Sequence, residues 1–256
     1  GTAIVKFVDK NTVEENLYYL NFDRVSVSDD FNDDRVGSQW ELVRENPEHH
    51  SLSAHPGWLT ITTEKGDISE RSNDAKNILL QSANNDWTID TKIIASRMPS
   101  QPENAGIVAW QDDSNFVKFM FRAVIKTTRQ TGPLPGTLDL FIEENDIARS
   151  VATFDLKEMV SADAPLFLRL IKKGSLYTAY YSFDGKDYKE LGSAEALLKD
   201  IKVGLIACDG VMTQSMTSTF WIDYDTTKPD TPFDVSFDYF RIKNDGLRLT
   251  KQRRAR

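Results

Sequence analysis

The chain has 256 residues, 40% of them hydrophobic, enough for one large β domain or two small ones with a packed core, so wholesale disorder is excluded. A net charge of −8 and a pI of about 5.0 argue against nucleic acid or an anionic membrane as the main partner, since both reward a basic surface. No apolar run approaches the roughly 18 residues of a helical membrane span, and the single cysteine, Cys208, excludes an internal disulfide.

Period-2 patterns dominate in chain order. "IVKFV" and "LYYLNFDRVSV" read as two strands joined by a polar turn. The stretch from Arg35 to Glu64 follows, with all three histidines, two tryptophans and strand endings on both sides. Then come "NILLQS", "WTIDTKII", "AGIVAWQ", "NFVKFMFRAVI", "TLDLFIE", "LFLRLIKK", "SLYTAYYSF", "VGLIAC" and "FDVSFDYFRI". These short runs are rich in β-branched and aromatic residues and bounded by Gly, Pro, Asn or Asp, the pattern of an antiparallel sandwich or barrel. "SAEALLKDI", Ser193 to Ile201, is the best helical candidate, with Ser193 as N-cap. The terminal "KQRRAR" reads as a solvated basic end.

Two hairpins can be placed. In "GIVAWQDDSNFVKFMF" a turn at Asp112–Asn115 with Gln111 opposite Phe116 puts Val108, Trp110, Val117, Phe119 and Phe121 on one face, read as core. In "YYSFDGKDYKELG" the Asp184–Gly185 pair suits a primed turn, with Asp184 bonding local amides.

The ordered set "DDFND", "WELVRENP", "SLSAHPGWLTI", "NILLQS", "WTIDTKI", "AGIVAWQDDSNFVKF", "YYSFDGKDYKELG", "VGLIAC" and "FDVSFDYFRI" resembles the concanavalin A-like β-sandwich at the C-terminus of family 43 glycoside hydrolases, the β-xylosidase group, and related stand-alone lectin-like modules. The resemblance runs from about Ser28 to Lys243. His55 stands where the family usually has arginine before its Pro-Gly element, Trp58 stands where tyrosine is usual, and Met212–Pro232 is an insertion. The N-terminal strands resemble the last hairpin of a family 6 carbohydrate-binding module, or they simply belong to the sandwich. The implied fold is all-β, a two-sheet antiparallel sandwich of the concanavalin A-like jelly-roll type. The implied division is 1–28 as N-terminal strands, either the end of a preceding carbohydrate-binding module or part of the sandwich, 29–245 as sandwich and 246–256 as basic tail.

In that family the catalytic carboxylates sit on a separate propeller, for which this chain has no room beside the sandwich. The residues agree. "DDFNDD", "QDDSN" and "IEEND" sit at turns or strand edges, and none shows the Glu-x-Asp-x-x-Glu spacing of catalytic jelly rolls. No nucleophile elbow is present. The three histidines lack metal-ligand spacing, and Cys208 lies in an apolar strand, where a buried structural thiol is expected.

Alternation places Leu59 and Ile61 in the core and turns Trp58 away from it. Trp58, Arg44, His49 and Gln81 are the candidate carbohydrate-binding residues, since an aromatic face stacks on a pyranose and planar polar groups bond adjacent hydroxyls. The competing reading has Arg44 and Gln81 tying loops across the sheet edge. Trp221 and Tyr224 of the insertion are an alternative surface. Asp30, just before the first strand of the sandwich, and Asp238, in the last, could hold a structural calcium or bond loop amides.

The expectation is a non-catalytic accessory or carbohydrate-binding module of a glycoside hydrolase acting on xylan- or arabinan-type plant polysaccharide, secreted or periplasmic. Its partners would be an oligo- or polysaccharide and a neighbouring catalytic or carbohydrate-binding domain. The alternatives are a glycosidase with an unrecognised acid pair and a structural spacer. An exported protein would be represented here by its mature form or an excised piece, because no signal-peptide pattern is present.

Overall fold

A computed structural model describes residues 2–8, 15–21, 26–69, 72–83, 85–95, 103–122, 136–156, 164–210, 232–245 and 250–251. The N-terminal strands β1 (Thr2–Val8) and β2 (Glu15–Asn21) pair as a hairpin. Two sheets follow, drawn from β3 (Glu41–Val43), β4 (His50–Ser51), β5 (Leu59–Thr62), β6 (Ile78–Ser82), β7 (Asp86–Ala95), β8 (Glu103–Asp112), β9 (Asn115–Arg122) and β10 (Thr137–Glu144). The rest are β11 (Ile147–Asp155), β12 (Leu166–Lys173), β13 (Leu176–Ser182), β14 (Lys189–Glu195), β15 (Lys202–Asp209) and β16 (Asp234–Asp245), before a short β17 (Thr250–Lys251).

The first sheet runs β11-β10-β9-β8-β15-β6-β3 and the second β14-β13-β12-β7-β16-β5-β4, seven strands each. All pairings are antiparallel. Apart from a three-residue 3-10 turn at Pro47–His49, no helix occurs among the described residues. The fold is the expected two-sheet sandwich.

Strand alternation builds the core. On β7, Trp87, Ile89 and Ile93 point inward, and on β12 Leu166, Leu168 and Leu170 do the same. They meet Leu79, Ile107, Val117, Phe119, Leu140 and Leu205 of the first sheet in one cluster. Segment 26–28 closes one end of the sandwich. Ser26 donates to the Ser82 carbonyl, Asn244 donates to the Ser26 carbonyl, and Asp29 exchanges backbone bonds with Phe240.

A second layer covers the outer face of the first sheet. Residues 63–69 and 72–77 cross it, their backbone bonding both sides of Asp209 through Glu64 and Gly66. Ile68 and Ala75 of this strap pack on Ile78, Leu80, Val108, Phe116 and Ile206, a cluster distinct from the core between the sheets.

Three sequence readings are corrected. The helical candidate is not a helix. Ser193–Glu195 end β14, paired with Leu176–Thr178. The β8–β9 register differs from the expected one. A bulge between Trp110 and Asp112 sets Ala109 opposite Val117 and Trp110 opposite Phe116. Val117, Phe119 and Phe121 are core as expected, but Val108 and the half-buried Trp110 lie under the strap's side of the sheet with Phe116. The third is the Asp184–Gly185 turn: Asp184 accepts from the Lys186 and Asp187 amides as read, but of the pair only Gly185 has a positive φ (72°) and residues 183–188 join the strands, so it is not a two-residue primed turn. Thr250 and Lys251 of β17 pair with Tyr19 and Tyr18, and residues 252–256 of the basic end lie outside the described residues.

Candidate functional site

The four residues singled out by sequence lie on different parts of the edge formed by β3, β6, β4 and β5. Arg44 follows β3 with a left-handed backbone (φ 52°) that aims its side chain back over the sheet. Its guanidinium grips Asp113 with two bonds, 2.8 and 3.1 Å, and its Nε donates to the Ala75 carbonyl at 2.6 Å. One residue thus ties β3 to the β8–β9 turn and to the strap. Gln81 is buried at the end of β6. Its Nε2 donates to the Val27 carbonyl and its Oε1 accepts from the Val27 amide, both at 2.8 Å, which docks segment 26–28. Both residues tie distant segments together.

His49 ends the 3-10 turn capped by Asn46. Its Nδ1 lies 3.7 Å from Glu64 Oε2 and has no hydrogen-bond partner. Burial pushes the Glu64 carboxyl up, but bonds from Lys76 and Asn46 and the His49 ring outweigh it and hold the carboxyl below its ordinary value.

Trp58 is half-buried after the Pro56–Gly57 turn, while Leu59 and Ile61 are fully buried. Its indole lies parallel to the His55 ring at 4.6 Å and carries Lys92 Nζ 4.5 Å from its centroid. Trp58 thereby belongs to the outer face of the second sheet. Among the described residues, no hydrogen bond, ion pair or ring contact joins two of these four side chains.

Asp30 and Asp238 also part company. Asp30 accepts from Arg241 at 3.2 Å and Asp238 from Lys92 at 2.8 Å, so each carboxylate holds its own side-chain cation. The neighbouring Asp29 is the structural knot: it accepts from Gln39 Nε2, Trp40 Nε1 and the Phe31 amide at 2.7–2.8 Å. No group of three or more His, Cys, Asp or Glu suited to a metal occurs among the described residues. Cys208 is buried, and burial pushes its thiol well above the ordinary range. The insertion, with Trp221 and Tyr224, lies outside the described residues except for its last, Pro232.

The sequence reading passed over a groove of about 810 Å³ at the Pro56–Gly57 turn. Its walls are the loops 32–38 and 50–57, which extend past the two shortest edge strands of the sandwich, β3 and β4. Trp40, Leu42 and Leu52 form its apolar floor. The signal was the polar, glycine-containing run "NDDRVGS" between two buried aromatics, Phe31 and Trp40, which reads in isolation as an ordinary acidic turn.

The sequence matches the family described as the β-xylosidase C-terminal concanavalin A-like domain over residues 28–243. No curated protein matches the chain. Among solved structures, the GH43 protein BlXynB from Bacillus licheniformis is similar at TM-score 0.63 and 21% identity, over 84% of this chain and 38% of that one. A xylan β-1,4-xylosidase from Bacillus halodurans gives TM-score 0.63 and 15% identity, over 87% and 40%. A Saccharomyces cerevisiae protein described as functionally unknown gives TM-score 0.58 and 18% identity, over 81% of this chain and 97% of that one. The chain thus spans about two fifths of the two bacterial enzymes and nearly all of the yeast protein.

Proposed function

Since the chain belongs to the family of β-xylosidase C-terminal concanavalin A-like domains, we propose that it acts as a non-catalytic accessory sandwich beside a glycoside hydrolase domain, holding xylan- or arabinan-type polysaccharide outside the cytoplasm. The observation that carries this reading is where its best candidate acids go. Glu143 and Glu144 are adjacent on β10, so their side chains leave on opposite faces. Glu143 is fully buried under the first sheet's cover, where its charge acts on Lys118, and Glu144 accepts from the Leu197 amide. Two such carboxylates cannot flank one sugar ring at the separation of about 5–5.5 Å that a retaining pair needs.

The test combines turnover and retention. The purified chain is incubated with aryl xylosides, aryl arabinofuranosides, xylan and arabinan, and its depletion from solution by insoluble xylan and arabinan is measured in parallel. Retention on polysaccharide without hydrolysis is the expected result. Hydrolysis that survives purification and vanishes in Glu143→Gln or Glu144→Gln overturns the non-catalytic assignment; no retention on either polymer overturns the saccharide-holding one.

A further inference from the structure

We propose that the groove between loops 32–38 and 50–57 is a binding site for the neutral, unsubstituted stretch of an oligosaccharide chain; this deepens, and rests on, the saccharide-holding role above. Its place in the fold favours a ligand. Both sheets end there in their shortest sandwich strands, three residues in β3 and two in β4, so the loops stand clear of the sandwich as walls. At about 810 Å³ the space falls within the size range of small-ligand sites.

The polar groups of one wall are free to meet a ligand. Arg44, Lys92, Lys118, Arg169 and Arg241 each hold a carboxylate of this chain. Asp33, Asp34 and Arg35 are exposed, line the groove, and make no hydrogen bond or ion pair among the described residues. With Asn32 and Ser38 they offer acceptors and donors side by side, the set that hydroxyls acting in both senses require. Val36, Leu42 and Leu52 supply the apolar surface that the C–H face of a sugar ring covers.

Charge narrows the ligand class. Asp33, Asp34 and Glu45 line the groove against one guanidinium, Arg35, so a chain carrying uronic acids is repelled and a neutral one is not. The opposite wall is held in shape from within. Ser51 Oγ accepts from the Ser53 and Ala54 amides, and His50 Nε2 lies 3.1 Å from Glu45 Oε1. The turn beyond it uses Gly57 at φ 82°, where an added Cβ would meet only Asn32 Oδ1, at 3.4 Å. The two walls therefore approach at one end of the groove.

The experiment is calorimetric titration of the full chain with xylohexaose, arabinohexaose and a glucuronic acid-substituted xylo-oligosaccharide, with melting temperatures measured alongside. The expected result is binding of a neutral hexasaccharide, at least fivefold weaker in Asp33→Ala/Asp34→Ala with the melting temperature unchanged, and weaker binding of the uronic acid-bearing ligand. Wild-type affinity in that double variant overturns the groove assignment while leaving the saccharide-holding role intact. The same holds if Trp58→Ala abolishes binding and the double variant does not, which places the site on the second sheet's outer face. Failure of the wild-type chain to bind any of the three ligands overturns the groove; the retention assay on insoluble polymers then decides the broader role separately.

Discussion

The two sheets carry equal numbers of strands and similar inner faces, yet among the described residues only the first seals an ion pair beneath a covering segment. On the first sheet the strap seals a lysine against an aspartate. Lys118 Nζ sits 2.6 Å from Asp67 Oδ1 with side chains 1% and 8% exposed, and Asn104 and Cys208 complete the cluster. On the second sheet the same chemistry lies open. Arg241 and Asp30 are 3.2 Å apart at 60% and 57% exposure, and Lys92–Asp238 and Arg169–Asp90 line up nearby. Arg241 stacks over Tyr239 and Arg169 over Tyr188, each at 4.0 Å. A salt bridge is thus no single stabilising unit. Under the strap the pair must be complete, because either charge alone would be stranded without water; on the open face water replaces whichever partner is lost.

The largest expected effect follows directly. Asp67→Ala leaves the Lys118 ammonium buried and should lower stability by about 3–5 kcal/mol in urea unfolding. The Lys118→Met/Asp67→Leu double variant should recover most of it. A loss under about 1 kcal/mol in the single variant would mean that the strap admits water. Next comes the strap's apolar anchor: Ile68→Ala should cost about 2–4 kcal/mol, measured the same way, since Ile68 is fully buried.

Acidity separates the faces again. Hydrogen bonds from the Asp187 and Lys186 amides and the Ser182 hydroxyl bring the exposed Asp184 carboxyl down to about 2. Its folded value lies below its unfolded one of about 3.9, so its contribution is complete above pH ~4 and disappears as pH falls toward about 2. Asp184→Asn should flatten that part of the stability–pH curve. For Lys118, burial lowers the pKa, but the Asp67 charge and bond win and raise it. Its contribution is therefore complete below about pH 10.4 and lost only as pH rises through the higher folded value. Acid thus tests the turn at the end of the second sheet, and strong alkali tests the strap.

The smallest effects belong to the open face. Lys92→Ala removes one ion pair and one cation–π contact and should cost about 0.5–1 kcal/mol. If Asp30 and Asp238 hold only Arg241 and Lys92, a chelator should leave the melting temperature unchanged; a clear drop would reveal a calcium ion that the two carboxylates bind in preference to their side-chain cations.

These contrasts also explain what could be read from sequence. The local bonding of Asp184 was legible because each of those bonds spans two or three residues, whereas the turn type was not. The sandwich was legible because alternation is local and repeated. Gln81 and Arg44 looked like ligand-binding groups because their partners, Val27 and Asp113, lie 54 and 69 positions away. The Trp110–Asp112 bulge was invisible, and a one-residue slip turns side chains to the other face. "SAEALLKDI" carries good helix formers, but the free edge of β13 captured its start as a strand, tertiary pairing overriding propensity. The strap reads as polar loop because, apart from Ile68 and Ala75, the side chains it buries are polar: Thr63, Asp67 and Asn77.

The clasp at segment 26–28 has a mechanical consequence. Ser26 bonds Asn244, Ser28 bonds Ile242 and Asp29 bonds Phe240, so the chain enters and leaves the sandwich side by side, running in opposite directions. Tension applied across the two flanks would not shear either sheet. It would separate β2 from β17 first and then unzip this seam bond by bond from Ser26 inward, with β16, which carries the seam's other side, held by its pairing with β7.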